Sequence, residues 1–122
     1  NPTDPSMAEY LHGREFRADV TDTDFFSPFP SMLKAGFGSL AYQGEWNIYD
    51  LLLVNNSLAN PADGTFGIRQ LHKKGYYGRV YNSNCFTNQK GQSKATPFRT
   101  FSNGAFIGGY SDHYPTYIVI TK

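Results

Sequence analysis

The chain has 122 residues, a formal net charge of +1, 39% hydrophobic residues, 16% aromatics and 17% charged residues. That is apolar enough for one domain with a modest core and too apolar for a disordered segment. A charge so close to balance excludes a protein that grips nucleic acid by charge alone, but leaves room for an enzyme that handles phosphate through a bound cation.

Cys85 is the only cysteine, so neither an internal disulfide nor a thiolate zinc cluster can form. No apolar run approaches the ~20 residues of a membrane helix, and no segment reads as a signal peptide. The sequence opens on Asn1-Pro2-Thr3-Asp4-Pro5 without a methionine, which reads as a processed protein or a fragment.

Asp4 followed by Pro5 is a helix-start signal, with Asp4 as cap and the proline at the first helical position. Met7, Ala8, Tyr10 and Leu11 supply an apolar face and Gly13 a stop, which predicts a short helix. Residues 22 to 38 interleave Pro28, Pro30, Gly36 and Gly38 with phenylalanines, the pattern of a long ordered loop with a helical turn at Ser31 to Lys34. Trp46 to Val54 reads as a strand with two apolar faces, Ile48, Leu52 and Val54 on one and Tyr49, Leu51 and Leu53 on the other, hence internal. Asn60 to Gly67 is loop, Gly78 to Tyr81 a short strand, and Asn82 to Ser102 a long polar excursion. Pro115 to Thr121 predicts a second buried strand, its proline at the first position, where one is tolerated. Two core strands, one short helix and many long loops make a thin scaffold for an autonomous domain.

Three features carry chemistry. Asp50 shares a face with Ile48 and Leu52, where an unpaired carboxylate would cost several kcal/mol. It therefore either caps a neighbouring loop at the strand's end or has a dedicated partner. In Gly108-Gly109-Tyr110-Ser111-Asp112-His113-Tyr114-Pro115, two glycines permit a close backbone approach just before an Asp-His pair at a strand mouth. Neighbours on an extended chain face opposite ways, so Asp112 and His113 serve different partners. Asp112 is suited to a cation or a water, and His113 to acid, base or oxyanion-donor work, oriented by a carboxylate such as Asp50; a structural histidine is the plain alternative. Arg99, between Phe98 and Thr100-Phe101, either stacks and bridges a loop or contacts a phosphate bidentately. His12 and His72 have no companions at ligand spacing, Lys73-Lys74 reads as a solvated face, and Asn55-Asn56-Ser57 matches a glycosylation sequon.

Ser111-Asp112-His113-Tyr114-Pro115 followed by a strand resembles the closing motif of the endonuclease/exonuclease/phosphatase superfamily, whose fold is DNase I-like. Trp46-Asn47-Ile48-Tyr49-Asp50-Leu51-Leu52-Leu53-Val54 resembles the superfamily's strand with an aspartate before an aliphatic run. Pro97-Phe98-Arg99-Thr100-Phe101 and Gly108-Gly109-Tyr110 resemble the approach to the Ser-Asp-His motif in bacterial members. The opening, Asn1 to Ser6, resembles the segment after the superfamily's Gly-Asp-x-Asn motif.

This resemblance implies an α/β (α+β) chain, the C-terminal part of a DNase I-like four-layer α/β/β/α sandwich. The whole of residues 1–122 would be that C-terminal portion, its N-terminal portion lying elsewhere. It implies His113 as catalytic histidine, Asp50 as the carboxylate that orients it, Asp112 as the acidic residue near the metal, and Arg99 as a contact to substrate. The implied activity is metal-dependent hydrolysis of a phosphoester, of phosphodiesterase or nuclease type, with Mg²⁺ or Mn²⁺ in a site completed by residues upstream of Asn1. The implied partners are a phosphate-ester substrate (nucleic acid or small phosphoester) and the N-terminal half of the same domain. The isolated chain is expected to be inactive and to self-associate through open sheets. The compartment stays open, a secreted or periplasmic place in a bacterium being the one expectation offered. A non-catalytic binding module that keeps half the fold is the competing reading.

Overall fold

The computed structural model describes all 122 residues. The chain is a mixed α/β arrangement of many short strands and few short helices. It opens with helix α1 (Pro5–Glu9), strands β1 (Gly13–Arg14) and β2 (Phe25–Phe26), and helix α2 (Phe29–Lys34). Strands β3 (Leu40–Tyr42), β4 (Glu45–Asn47) and β5 (Val54–Asn55) precede helix α3 (Asn56–Ala59). The remainder is β6 (Gly67–Ile68), β7 (Gly78–Val80), β8 (Phe101–Ser102), β9 (Ala105–Phe106), β10 (Thr116–Ile118) and β11 (Ile120–Thr121). No helix is long and apolar enough to cross a membrane.

Helix α1 starts as its sequence dictates. The Asp4 carboxylate accepts from the Ser6 N–H at 2.9 Å and Pro5 takes the first turn, where a missing N–H costs nothing. Helix α2 is longer than the expected turn at Ser31 to Lys34: it begins at Phe29, accommodates Pro30 in its first turn and buries Phe29 and Met32. The Asn55-Asn56-Ser57 sequon is occupied by helix capping, the Asn55 side chain accepting from the Leu58 N–H at 3.2 Å to start α3.

The strands form five small sheets. One has three strands, with β2 between β1 (parallel) and β5 (antiparallel); the others pair β10 with β7, β11 with β6, β3 with β4 and β8 with β9. Two of these are tight hairpins with left-handed turn residues. Gln43 (φ 50°) and Gly44 (φ 85°) join β3 to β4, and Asn103 (φ 49°) and Gly104 (φ 78°) join β8 to β9. Such turns match the twist of paired strands, and Asn-Gly is the residue pair they favour.

Both long strands expected from the sequence are interrupted. In the stretch 46–54, pairing stops at Asn47 and resumes at Val54. Side chains take over the backbone groups between: Asn47 Oδ1 accepts from the Ile48 N–H (2.9 Å), Ser39 Oγ from the Tyr49 N–H (3.3 Å), and the Asp50 carbonyl accepts from Thr116 Oγ1 (2.7 Å). With those groups committed, no ladder runs through 48–53, and Leu52, expected to face inward, is exposed. The last strand breaks at Val119, whose carbonyl accepts from the Arg69 N–H at 2.9 Å, so that β10 pairs with β7 and β11 with β6. Each half has one partner only, which leaves Tyr117 and Ile120 both 41% exposed rather than buried.

Two small cores result. Val20, Phe26, Val54, Ala59 and Ile68 form one; Phe29, Met32 and Ile48 form the other, with Leu33, Leu51, Tyr76 and Val80 around it. Ile48 thus anchors the 48–53 segment against α2 and holds the neighbouring Asp50 at the mouth of β10.

Candidate functional site

The site is assembled where the 48–53 segment passes the start of β10. Tyr114 is the residue that fixes this crossing. Its N–H donates to the Ser39 carbonyl at 2.7 Å, its ring stacks on Trp46 (6.2 Å between centroids, 12° between planes), and its hydroxyl lies 2.8 Å from Thr87 Oγ1. Burial pushes the Tyr114 phenol above its ordinary pKa, partly offset by the Thr87 hydroxyl, so it stays a neutral hydrogen-bonding group. With Tyr114 turned inward, its neighbour His113 turns outward, as alternation along an extended chain requires.

His113 Nδ1 lies 2.8 Å from Asp50 Oδ2, across 63 residues of sequence. Both side chains are about one-third exposed (32% and 38%), so the pair is held by the protein yet reachable from solvent. The same Asp50 oxygen accepts from Ser39 Oγ at 2.8 Å. Ser39 is fully buried, and its main chain bonds to Asn47 and Tyr114, so it ties the β3–β4 hairpin, Asp50 and the His113 strand together. Sequence reasoning missed Ser39: it is a serine after a glycine at a strand start, and nothing local marks it.

A bond from Nδ1 to a carboxylate places the imidazole proton on Nδ1 in the neutral form and leaves Nε2 with a free lone pair. A cavity of about 230 Å³ lies at this point, lined by Asp50, Phe86, Tyr110, Ser111, His113, Tyr114 and Pro115. Ser111 Oγ accepts from the His113 N–H at 3.0 Å and holds the turn before the histidine. The glycines do what the sequence suggested at one position. A Cβ on Gly109 would overlap the Phe98 and Arg99 carbonyl oxygens, and the Tyr110 N–H donates to the Phe98 carbonyl at 2.8 Å.

Asp112 is exposed, on the chain between Ser111 and His113. No group of three or more His, Cys, Asp or Glu side chains converges anywhere in the chain. A divalent cation of the Mg²⁺ type takes about six oxygen ligands, several of them waters, and needs at least one or two carboxylates. With Asp112 as a solitary exposed oxygen donor, the residues present do not by themselves make such a site.

Arg99 is not brought to His113. It is half-buried in a separate cavity of about 330 Å³, between the β3–β4 and β8–β9 hairpins, that shares no lining residue with the His113 cavity. His72 packs with Phe37 and Tyr76, and His12 lies 3.9 Å from Asp24; neither meets the Asp50–His113 pair.

Comparison with known proteins bears on the whole chain. A family model described as "Endonuclease/Exonuclease/phosphatase family" matches residues 1–122. Neither the curated proteins nor the solved structures give a match. The match covers every residue of the Ser39, Asp50 and His113 arrangement, and the chain belongs to the endonuclease/exonuclease/phosphatase family, whose members hydrolyse phosphoester bonds.

Proposed function

We propose that this chain carries the histidine half of a phosphodiesterase or nuclease-type active site, with His113 as the group that handles the proton and Asp50 as the group that orients it. The observation that carries the reading is the 2.8 Å contact from Asp50 to His113 Nδ1 beside an open cavity. With Nδ1 engaged, Nε2 is the atom available to the reacting groups. As base it takes a proton from water while the water oxygen bonds to phosphorus and the ester P–O bond breaks, its electron pair leaving on the ester oxygen, which takes up a proton from solvent as the imidazolium returns its own proton to solvent. In its protonated form it donates to a phosphoryl oxygen as negative charge gathers there. Asp50 stabilises the imidazolium in both cases and, held by Ser39, keeps the ring from rotating.

Mg²⁺ or Mn²⁺ belongs to this reading as the cation that would neutralise the phosphate, with Asp112 as the oxygen donor this chain would contribute. The other donors are not present as a cluster in the chain, and on that ground the isolated chain is expected not to turn over a phosphodiester.

The test is His113→Ala in the intact protein, assayed on bis(p-nitrophenyl) phosphate with Mg²⁺ and Mn²⁺. Removing a group that transfers a proton costs about 10²- to 10⁴-fold in rate; the circular dichroism spectrum should be unchanged, with Tm lowered by no more than a few degrees for loss of the partly exposed contact to Asp50. Retained turnover would refute the role given to His113, whereas no turnover by the unaltered intact protein would favour a non-catalytic binding module.

A further inference from the structure

The cleft between the two hairpins has a composition that the His113 site does not explain. Its rim and walls include Gln43, Gln92, Ser93 and Ser102, and Trp46 contributes an aromatic surface. Arg99 is its only charged lining residue, and no Asp or Glu lies among the rest. The guanidinium has no carboxylate partner; its one hydrogen bond within the protein is a long one, 3.4 Å, to the Ala41 carbonyl. A guanidinium carries five N–H donors in a planar fork that matches the oxygens of a phosphate or carboxylate. Here most of them are unused inside a concavity, where the attraction for an anion is less screened than on open surface.

We propose that this cleft is a binding site for an anionic polyol, and specifically for a sugar phosphate. Arg99 takes the phosphate oxygens bidentately. The amide and hydroxyl side chains of Gln43, Gln92, Ser93 and Ser102 each offer both donor and acceptor atoms, which is the complement of a ring of hydroxyl groups. Trp46 presents apolar surface to the C–H face of the ring. The cavity, about 330 Å³, falls at the small end of the range for small-molecule sites. The inference stands on Arg99, the two hairpins and the loop of residues 88–96, independently of what His113 does, because the two cavities have no residue in common.

The test uses ribose 5-phosphate, ribose and inorganic phosphate as probes on the intact protein, by NMR chemical-shift perturbation and calorimetry. Ribose 5-phosphate should perturb the Arg99 Nε–H and the backbone amides of residues 41–44, and should bind more tightly than either part alone. Arg99→Gln should weaken binding by ~10-fold or more, as expected for loss of a charge-assisted bidentate contact. Arg99→Lys should recover only part of it, because a point charge lacks the fork. Gln92→Ala, an exposed rim change that leaves folding untouched, should also weaken binding. His113→Ala should leave it unchanged. The proposal is overturned by unchanged affinity in Arg99→Gln. It is overturned equally by perturbation centred on residues 110–113, or by no perturbation at about 10 mM probe, a concentration at which even a weak site fills.

Discussion

Replacing Ser39 with alanine would remove the hydroxyl that connects Asp50 to the core of the hairpin crossing. The hydroxyl is fully buried, donates to Asp50 Oδ2 at 2.8 Å and accepts from the Tyr49 N–H at 3.3 Å. A hydrogen bond to a charged group contributes about 1.5–3 kcal/mol. Asp50 is 38% exposed, so water replaces part of that bond, and the long contact to Tyr49 adds little. A loss of about 1–1.5 kcal/mol is expected, which for a domain of this size lowers Tm by roughly 3–8 °C. The effect on turnover should be larger than stability alone accounts for. With its second anchor gone, Asp50 no longer fixes the His113 ring, and kcat in the intact protein should drop by ~10-fold with KM little changed, since Ser39 is buried and touches no substrate. Urea denaturation and steady-state kinetics on bis(p-nitrophenyl) phosphate read the two effects separately. Lowered stability with unchanged kcat would reduce Ser39 to a packing residue; unchanged stability and kcat together would refute the Ser39–Asp50–His113 chain.

Three further outcomes are expected. The buried Asp24 accepts from the Thr21 hydroxyl (2.6 Å), the Thr21 N–H (3.0 Å) and Arg14, and these hold its carboxyl down from 3.8 to about 2. The folded pKa lies below the unfolded one, so the stabilisation is complete above pH ~4 and disappears as pH falls towards 2. Asp24→Asn should flatten stability against pH in that window, and a parallel slope would contradict it. Gly109→Ala should destabilise the chain by more than ~2 kcal/mol, because the new methyl meets backbone carbonyls that cannot yield; wild-type stability by chemical denaturation would show that the two segments can part. The chain also exposes 7841 Å², against about 6,600 Å² for a compact monomer of 13.7 kDa. The excess is comparable to one side of a stable interface. With Tyr110, Phe101 and Phe106 among the exposed aromatics, sedimentation should detect self-association of the isolated chain, and a monodisperse monomer would count against it.

The residues with chemistry to offer were legible because their types are local facts. A carboxylate on an apolar stretch at Asp50 asks for a partner, and an Asp-His step at a strand mouth at His113 offers one; the structure puts the two in contact. The Asp4–Pro5 helix start is legible for the same reason, since its bonds close within three residues. The stretch 46–54 shows where this ends. Its composition favours a strand throughout, but Ser39, 10 residues before Tyr49, and Thr116, 66 residues beyond Asp50, supply hydrogen bonds that break the ladder after Asn47. Ser39 owes its importance, and Arg99 its separation from His113, to which hairpins meet in space. Composition and spacing determine which groups are available and what local backbone they favour. The tertiary structure decides which of them meet, because those meetings depend on contacts tens of residues apart whose register no local signal encodes.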